Sequence, residues 1–211
     1  MNKWKKLQEL EELENYYNNL LLIGDKDFIY KNFTITKDNK GRWVLKKFIN
    51  KLDSTCLHIG DSIEIPHFIQ VIGKKAFLES GKHIKNVIIP DGVIKIESRS
   101  FAECNISNIR LPNTLKTIEC EAFAECNIKN LYVPDNVKHI GIYAFVNNEY
   151  MSSLSLPSGV FVDNWSFKGC GRRINIKRSK LEIRKIGETK PTITMGAEAF
   201  AWSTFADKLH D

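Results

Sequence analysis

Three consecutive lines of the chain decide its fold: IPDGVIKIESRSF (residues 89–101), LPNTLKTIECEAF (111–123) and VPDNVKHIGIYAF (133–145). Two looser copies flank them, IPHFIQVIGKKAF (65–77) and LPSGVFVDNWSF (156–167). Their prolines, Pro66, Pro90, Pro112, Pro134 and Pro157, are 24, 22, 22 and 23 residues apart. A phenylalanine (Phe77, Phe101, Phe123, Phe145, Phe167) follows its proline by 11 residues four times and by 10 the last time. Self-similarity at this period is the signature of a stacked repeat architecture, in which each unit buries its apolar face only against its neighbours.

The unit from Ile106 to Phe123 shows the physics. Ile106, Ile109 and Leu111 follow an L-x-x-L-x-L spacing, and the last two alternate across Arg110 as a half-buried strand does. Pro112 lacks an N–H and ends the ladder, and Asn113 and Thr114 turn the chain. Leu115 and Ile118 then face inward, followed by Ala122 and Phe123, and Glu125, Cys126 and Asn127 lead to the next strand. The same registers recur at Val87/Ile89, Leu131/Val133 and Leu154/Leu156, and at Val93/Ile96 and Val137/Ile140.

The recurring proline, the Ala/Ser-Phe pair and the cysteine three residues beyond it resemble the BspA-like (Treponema-type) leucine-rich repeat. The resemblance covers roughly residues 65–176, with a degenerate echo, GAEAFAWS, at 196–203. It implies a right-handed, curved solenoid used for protein or surface-ligand contact, with no catalytic residues. Some positions depart from the pattern. Phe77 is followed by Leu-Glu-Ser and Phe145 by Val-Asn-Asn, without the cysteine; the fifth unit is one residue short and sets Asp163 near a normally apolar position. Phe167 and Phe200 are 33 residues apart.

Outside the repeats the chain divides into expected caps. Residues 1–64 form an N-terminal capping region. Within it Trp4, Leu7, Leu10, Leu13, Tyr17 and Leu20 predict an amphipathic helix over 3–22, and FIYKNFTIT–KDNKG–RWVLKKFI predicts a β-hairpin over 27–49. The helix stripe suits either the open end of the solenoid or a dimer. Residues 65–176 are the repeats; 177–211 hold a basic degenerate repeat and a C-terminal helical cap. The fold class expected is an α+β solenoid with parallel concave strands.

Composition bounds the function. Among 211 residues, 43% are hydrophobic, which is ordinary for a folded protein. No apolar run approaches ~18 residues, so no membrane span is expected. The segment MNKWKKLQELEELE lacks a secretory apolar stretch, which predicts a cytoplasmic protein if Met1 is the native start, and a secreted or cell-surface one otherwise. Cys104, Cys126 and Cys170 share one repeat position and read as small buried apolar groups. With Cys120 and Cys126 six apart and no C-x-x-C, no metal site is expected, and no cofactor. The phosphate-loop, nucleophile-elbow, H-E-x-x-H and dinucleotide motifs are absent, and the five histidines are scattered, so no catalytic residues are expected.

The expected function is a non-enzymatic protein–protein interaction module. Side chains alternating on the concave strands form two columns: Asn86, Asn108, Asn130 and Ser153 with Arg173, and Ile88, Arg110, Tyr132 and Ser155 with Asn175. The second is the stronger candidate, because tyrosine and arginine anchor interfaces. A second candidate lies between Lys168 and Lys190, where nine basic residues face two acidic ones, a local +7 in a chain of formal charge +6. Arg172, Arg173, Lys177, Arg178, Lys180, Arg184 and Lys185 are its binding candidates. That stretch has no aromatic residue, which favours an acidic protein partner over nucleic acid. Roles as an intracellular adaptor or inhibitor, such as a phage or mobile-element anti-defence protein, fit this reading. A surface adhesin or scaffold fragment, and nucleic-acid binding through the basic run, are the alternatives.

Overall fold

The structure, a computed structural model, describes residues 32–49, 62–78, 81–173, 180–184, 194–196 and 198–206. Each repeat contributes two short strands, one on either side of the proline turn. The strands after the turn are two residues long in β4 (Val71–Ile72), β6 (Lys95–Ile96), β8 (Thr117–Ile118), β10 (His139–Ile140), β12 (Phe161–Val162) and β14 (Thr194–Met195). These six run parallel and in order, and with the two strands of the hairpin described next they make one eight-stranded sheet. Sequence reading expected inward side chains here but no strand, because two residues are too few to display alternation.

The hairpin is present as β1 (Phe33–Lys37) and β2 (Trp43–Phe48), paired antiparallel. It continues the solenoid: β2 pairs in parallel with β4, Val44 opposite Val71 and Leu45 opposite Ile72. The expected helix over 3–22 lies outside the described residues; of the C-terminal helical cap, residues 198–206 are described and form successive turns rather than an α-helix. Among the described residues the elements are strands and a 3-10 turn, Gly81–His83, so what they show is a parallel β-solenoid, and the helical caps of the expected α+β class find no support in them. Repeats this short close each circuit with turns and have too few residues between strands for an α-helix.

The strands before the proline form the opposite side. β3 (Ser62–Glu64), β5 (Asn86–Ile88) and β7 (Asn108–Arg110) make one three-stranded parallel sheet; β9 (Asn130–Tyr132), β11 (Ser153–Pro157) and β13 (Lys180–Arg184) make another. The basic run thus contributes a strand, with Leu181 opposite Leu154 and Ile183 opposite Leu156. Columns one and two therefore continue through Lys180 and Glu182, not Arg173 and Asn175, because the extra residues of this longer unit precede its strand.

One ladder runs through the interior. Phe48, Phe77, Phe101, Phe123, Phe145, Phe167 and Phe200 stack with ring centroids 4.6–5.3 Å apart. The central rings are nearly parallel, 3° for Phe101–Phe123 and 8° for Phe123–Phe145. This spacing follows from the ~4.8 Å separation of paired strands and falls in the favourable range for offset stacking. Phe200 keeps its rung despite the 33-residue gap, which shows that the GAEAFAWS echo is a true repeat.

The turns around each phenylalanine are also repetitive. Residues two before and two after it take left-handed backbone: Arg99 and Glu103, Glu121 and Glu125, Tyr143 and Asn147, Trp165 and Gly169. Seven of these are not glycine, and each costs about 1–2 kcal/mol in isolation. Hydrogen bonds between successive repeats hold them: Glu121 N–H donates to the Ile142 carbonyl (3.0 Å), Phe123 N–H to Ala144 (2.7 Å) and Glu125 N–H to Val146 (2.8 Å).

Candidate functional site

The cysteine column is structural. Cys126 Sγ donates to the Phe101 carbonyl (3.1 Å) and Cys170 Sγ to the Phe145 carbonyl (3.1 Å), each one repeat back; Cys104 does the same toward Phe77 (3.5 Å). Burial pushes the Cys104 and Cys170 thiols up to about 12 and holds Cys126 well above its usual value. Such thiols are neutral and poor nucleophiles. Where the fourth repeat lacks the cysteine, Asn148 takes its place: its Nδ2 donates to the Phe123 (2.9 Å) and Phe145 (2.8 Å) carbonyls, and its Oδ1 accepts from Ile128 N–H (3.1 Å). Position alone, three residues after the phenylalanine, was the available signal for this role.

The eight-stranded face carries ion pairs within and between repeats. Lys95 lies 2.6 Å from Glu119 and 3.8 Å from Glu97. Arg99 contacts Glu103 (3.0 Å) and Glu121 (3.3 Å). Glu119 is partly buried, which would raise its pKa, but hydrogen bonds from Lys95 and Ser98 outweigh this and hold it below the usual range. Asp163 is a surface residue in the row of Glu97 and Glu119, not a misplaced apolar one. It meets His139 Nε2 at 2.8 Å, so the histidine is partnered across repeats and not by Asp135 of its own turn. Aromatic pairs continue this face, His139 on Phe161 (5.7 Å) and Tyr143 on Trp165 (5.3 Å).

The opposite face is built differently. The first expected column is a polar ladder bonded to itself: Asn108 Nδ2 donates to Asn86 Oδ1 (2.7 Å), and Asn86 Nδ2 to Ser62 Oγ (3.0 Å). Ser152 Oγ donates to Asn130 Oδ1 (3.2 Å), and Ser153 stands on the next rung. The second column presents Ile88 (48% exposed), Arg110 and Tyr132 (54%) on adjacent repeats. Its exposure is interrupted at the next rung and resumes at Glu182. Ser155 is 8% exposed, because a short side chain in register between the longer Tyr132 and Glu182 is shaded by both.

The two three-stranded sheets part between Arg110 and Tyr132. Ile65 N–H donates to Ile88 (3.3 Å), Ile89 to Arg110 (3.3 Å) and Val133 to Ser155 (2.9 Å). Among the described residues the equivalent bond from Leu111 to Tyr132 is missing, and no ladder joins β7 to β9. No sequence signal marks this seam.

The basic end is divided. Arg172 and Arg173 both clasp Glu149, Arg172 at Oε1 and Arg173 at Oε2, and Arg173 lies 5.7 Å from the Tyr150 ring. Lys180 and Arg184 are on β13, whereas Lys177, Arg178 and Lys185 lie outside the described residues. An open depression of about 280 Å³ lies beside this cluster, lined by Glu125, Asn127, Asn147, Glu149 and Arg172 among others. No group of three potential metal ligands occurs among the described residues, and no described helix is long and apolar enough to cross a membrane.

A stack of equivalent rungs, ordered on a phenylalanine column and laced by hydrogen bonds from each turn to the next, defines a leucine-rich-repeat β-solenoid. The chain belongs to the family of the BspA type leucine rich repeat region, six copies of which match residues 70–190. Among solved structures it is similar to a leucine rich cell surface protein from Faecalibacterium prausnitzii A2-165 (TM-score 0.60, 21% identity, 72% of this chain and 38% of that one). It is also similar to the T. pallidum leucine rich repeat protein (TM-score 0.58, 18% identity, 79% and 84%). A third is the pneumococcal vaccine antigen PcpA (TM-score 0.52, 18% identity, 80% and 43%). At these identities the likeness is one of fold. The chain spans well under half the length of the first of these proteins. Among curated proteins, none matches its sequence.

Proposed function

We propose that this chain is a non-enzymatic protein-interaction module whose partner docks on the face made by β5, β7 and β9. The observation that carries this reading is the exposed row Ile88–Arg110–Tyr132, three chemically unlike side chains on successive repeats. Tyrosine and arginine supply large contact area and directional bonds at interfaces. The asparagine ladder beside the row spends its amides internally and serves as framework. Arg172 and Arg173, tied to Glu149, are less available than the basic run suggested.

The test is affinity capture with the immobilised chain, followed by identification of what is retained. A partner lost with Ile88→Ala/Tyr132→Ala but kept with Ile142→Ala, on another side of the repeat, supports the assignment. A partner lost only with Arg172→Glu/Arg173→Glu moves the site to the basic end.

Similarity to a cell surface protein favours a second reading, in which the module is displayed outside the cell as an adhesin or scaffold. Protease accessibility on intact cells of the source decides between that and an intracellular adaptor or inhibitor.

A further inference from the structure

Five arginine side chains are described, and four of them hold a carboxylate. Arg42 meets Asp38 (2.6 Å), Arg99 meets Glu103 and Glu121, and Arg172 and Arg173 share Glu149. Arg110 is the exception: among the described residues it has no acidic partner, and it is exposed. Lys129, exposed at the start of the neighbouring β9 strand, likewise makes no ion pair among the described residues. Arg110 stands between Ile88, its register partner, and Tyr132 across the seam.

We propose that this row receives an acidic, extended segment of a partner protein. A carboxylate of the segment pairs with Arg110, a second acidic group meets Lys129, and aliphatic side chains pack on Ile88 and Tyr132. This rests on the face assignment above and adds the partner's chemistry. A guanidinium takes a carboxylate through two parallel N–H donors, a geometry that a solvated lysine does not reproduce. Flanking apolar groups exclude water and strengthen that pair. On the other side of the repeat, Lys95 and His139 in one row and Arg99 in another already face carboxylates.

The experiment pans a random peptide library on the full chain and on Arg110→Gln, Arg110→Glu and Tyr132→Ala, each first shown to be folded by circular dichroism. Peptides selected on the wild type are expected to carry aspartate or glutamate next to aliphatic residues. They should bind Arg110→Gln about tenfold more weakly or worse, as loss of one charge-assisted pair requires. Panning on Arg110→Glu should turn the selected charge from acidic to basic. Neutral or basic peptides that depend on Tyr132 but not on Arg110 would overturn the acidic partner while leaving the face intact. Peptides indifferent to both residues would overturn the face itself. A fluorescent single-stranded oligonucleotide bound through Arg110 as tightly as the peptides would reassign the row to nucleic acid. Self-association lost in Arg110→Gln would reassign it to a second copy of the chain.

Discussion

Arg99 and Arg110 are eleven residues apart in sequence and stand on different sides of the same repeat stack, yet their surroundings have little in common. Arg99 lies on the side of the continuous eight-stranded sheet, in left-handed backbone, between Glu103 and Glu121. Arg110 lies at the seam between two three-stranded sheets, beside Ile88 and Tyr132, without a carboxylate among the described residues. One side joins the repeats by hydrogen bonds and ion pairs formed with its own neighbours. The other bonds its asparagine ladder internally and leaves Arg110 without a carboxylate among the described residues. Binding residues placed on rigid elements lose little entropy when they engage a partner.

The widest separation comes from the interior that both sides share. Phe123→Ala removes a fully buried ring from the middle of the ladder and is expected to cost about 3–5 kcal/mol in denaturant unfolding. A loss below ~1 kcal/mol would mean that the two sides do not depend on a common core. Next is Asn148→Ala, which leaves the Phe123 and Phe145 carbonyls and the Ile128 N–H without their buried partner and is expected to cost about 1–3 kcal/mol. Asn148→Cys, which restores the thiol that other repeats use toward the preceding phenylalanine carbonyl, should recover part of that loss.

Smaller effects distinguish the two arginines. Arg99→Ala should destabilise by up to ~1 kcal/mol, because its ion pairs are more than a third exposed. Arg110→Ala should leave stability within about 0.5 kcal/mol and act only on binding. The reverse order would place the structural arginine on the seam. Glu119 gives the side of Arg99 a pH signature. Its folded pKa is depressed, so its contribution is complete above the ordinary glutamate value and is lost as pH falls through the lowered one. Glu119→Gln should flatten that acid limb of the stability curve, and Arg110→Gln should not. The smallest readout is chemical. Of the four described thiols, the half-buried Cys120 should react first with a thiol-specific disulfide reagent, well before Cys104, Cys126 and Cys170.

Much of the architecture was legible because a repeat amplifies its own signal. The phenylalanine column and the buried cysteines follow from residue types recurring in register, and the hairpin from alternation on either side of a turn. The two-residue strands of the main sheet were not legible, since alternation needs more residues than they contain. Nor was the equivalence of Asn148 with cysteine, which only a shared hydrogen-bond acceptor reveals. Of the candidate site, the exposure of Ile88, Arg110 and Tyr132 agrees with simple alternation. The burial of Ser155 and the capture of Arg172 and Arg173 by Glu149 do not follow from it, because they depend on the lengths and reach of side chains in other repeats.

By itself the sequence determined that this chain stacks, at what period, and which residues face the core, because burial of one apolar face per repeat is a local and periodic demand. The tertiary structure alone decided where the strand ladder breaks, which cations find carboxylates and which described arginine is left without one. Those outcomes depend on hydrogen bonds and distances between units some twenty residues apart, which no single repeat encodes.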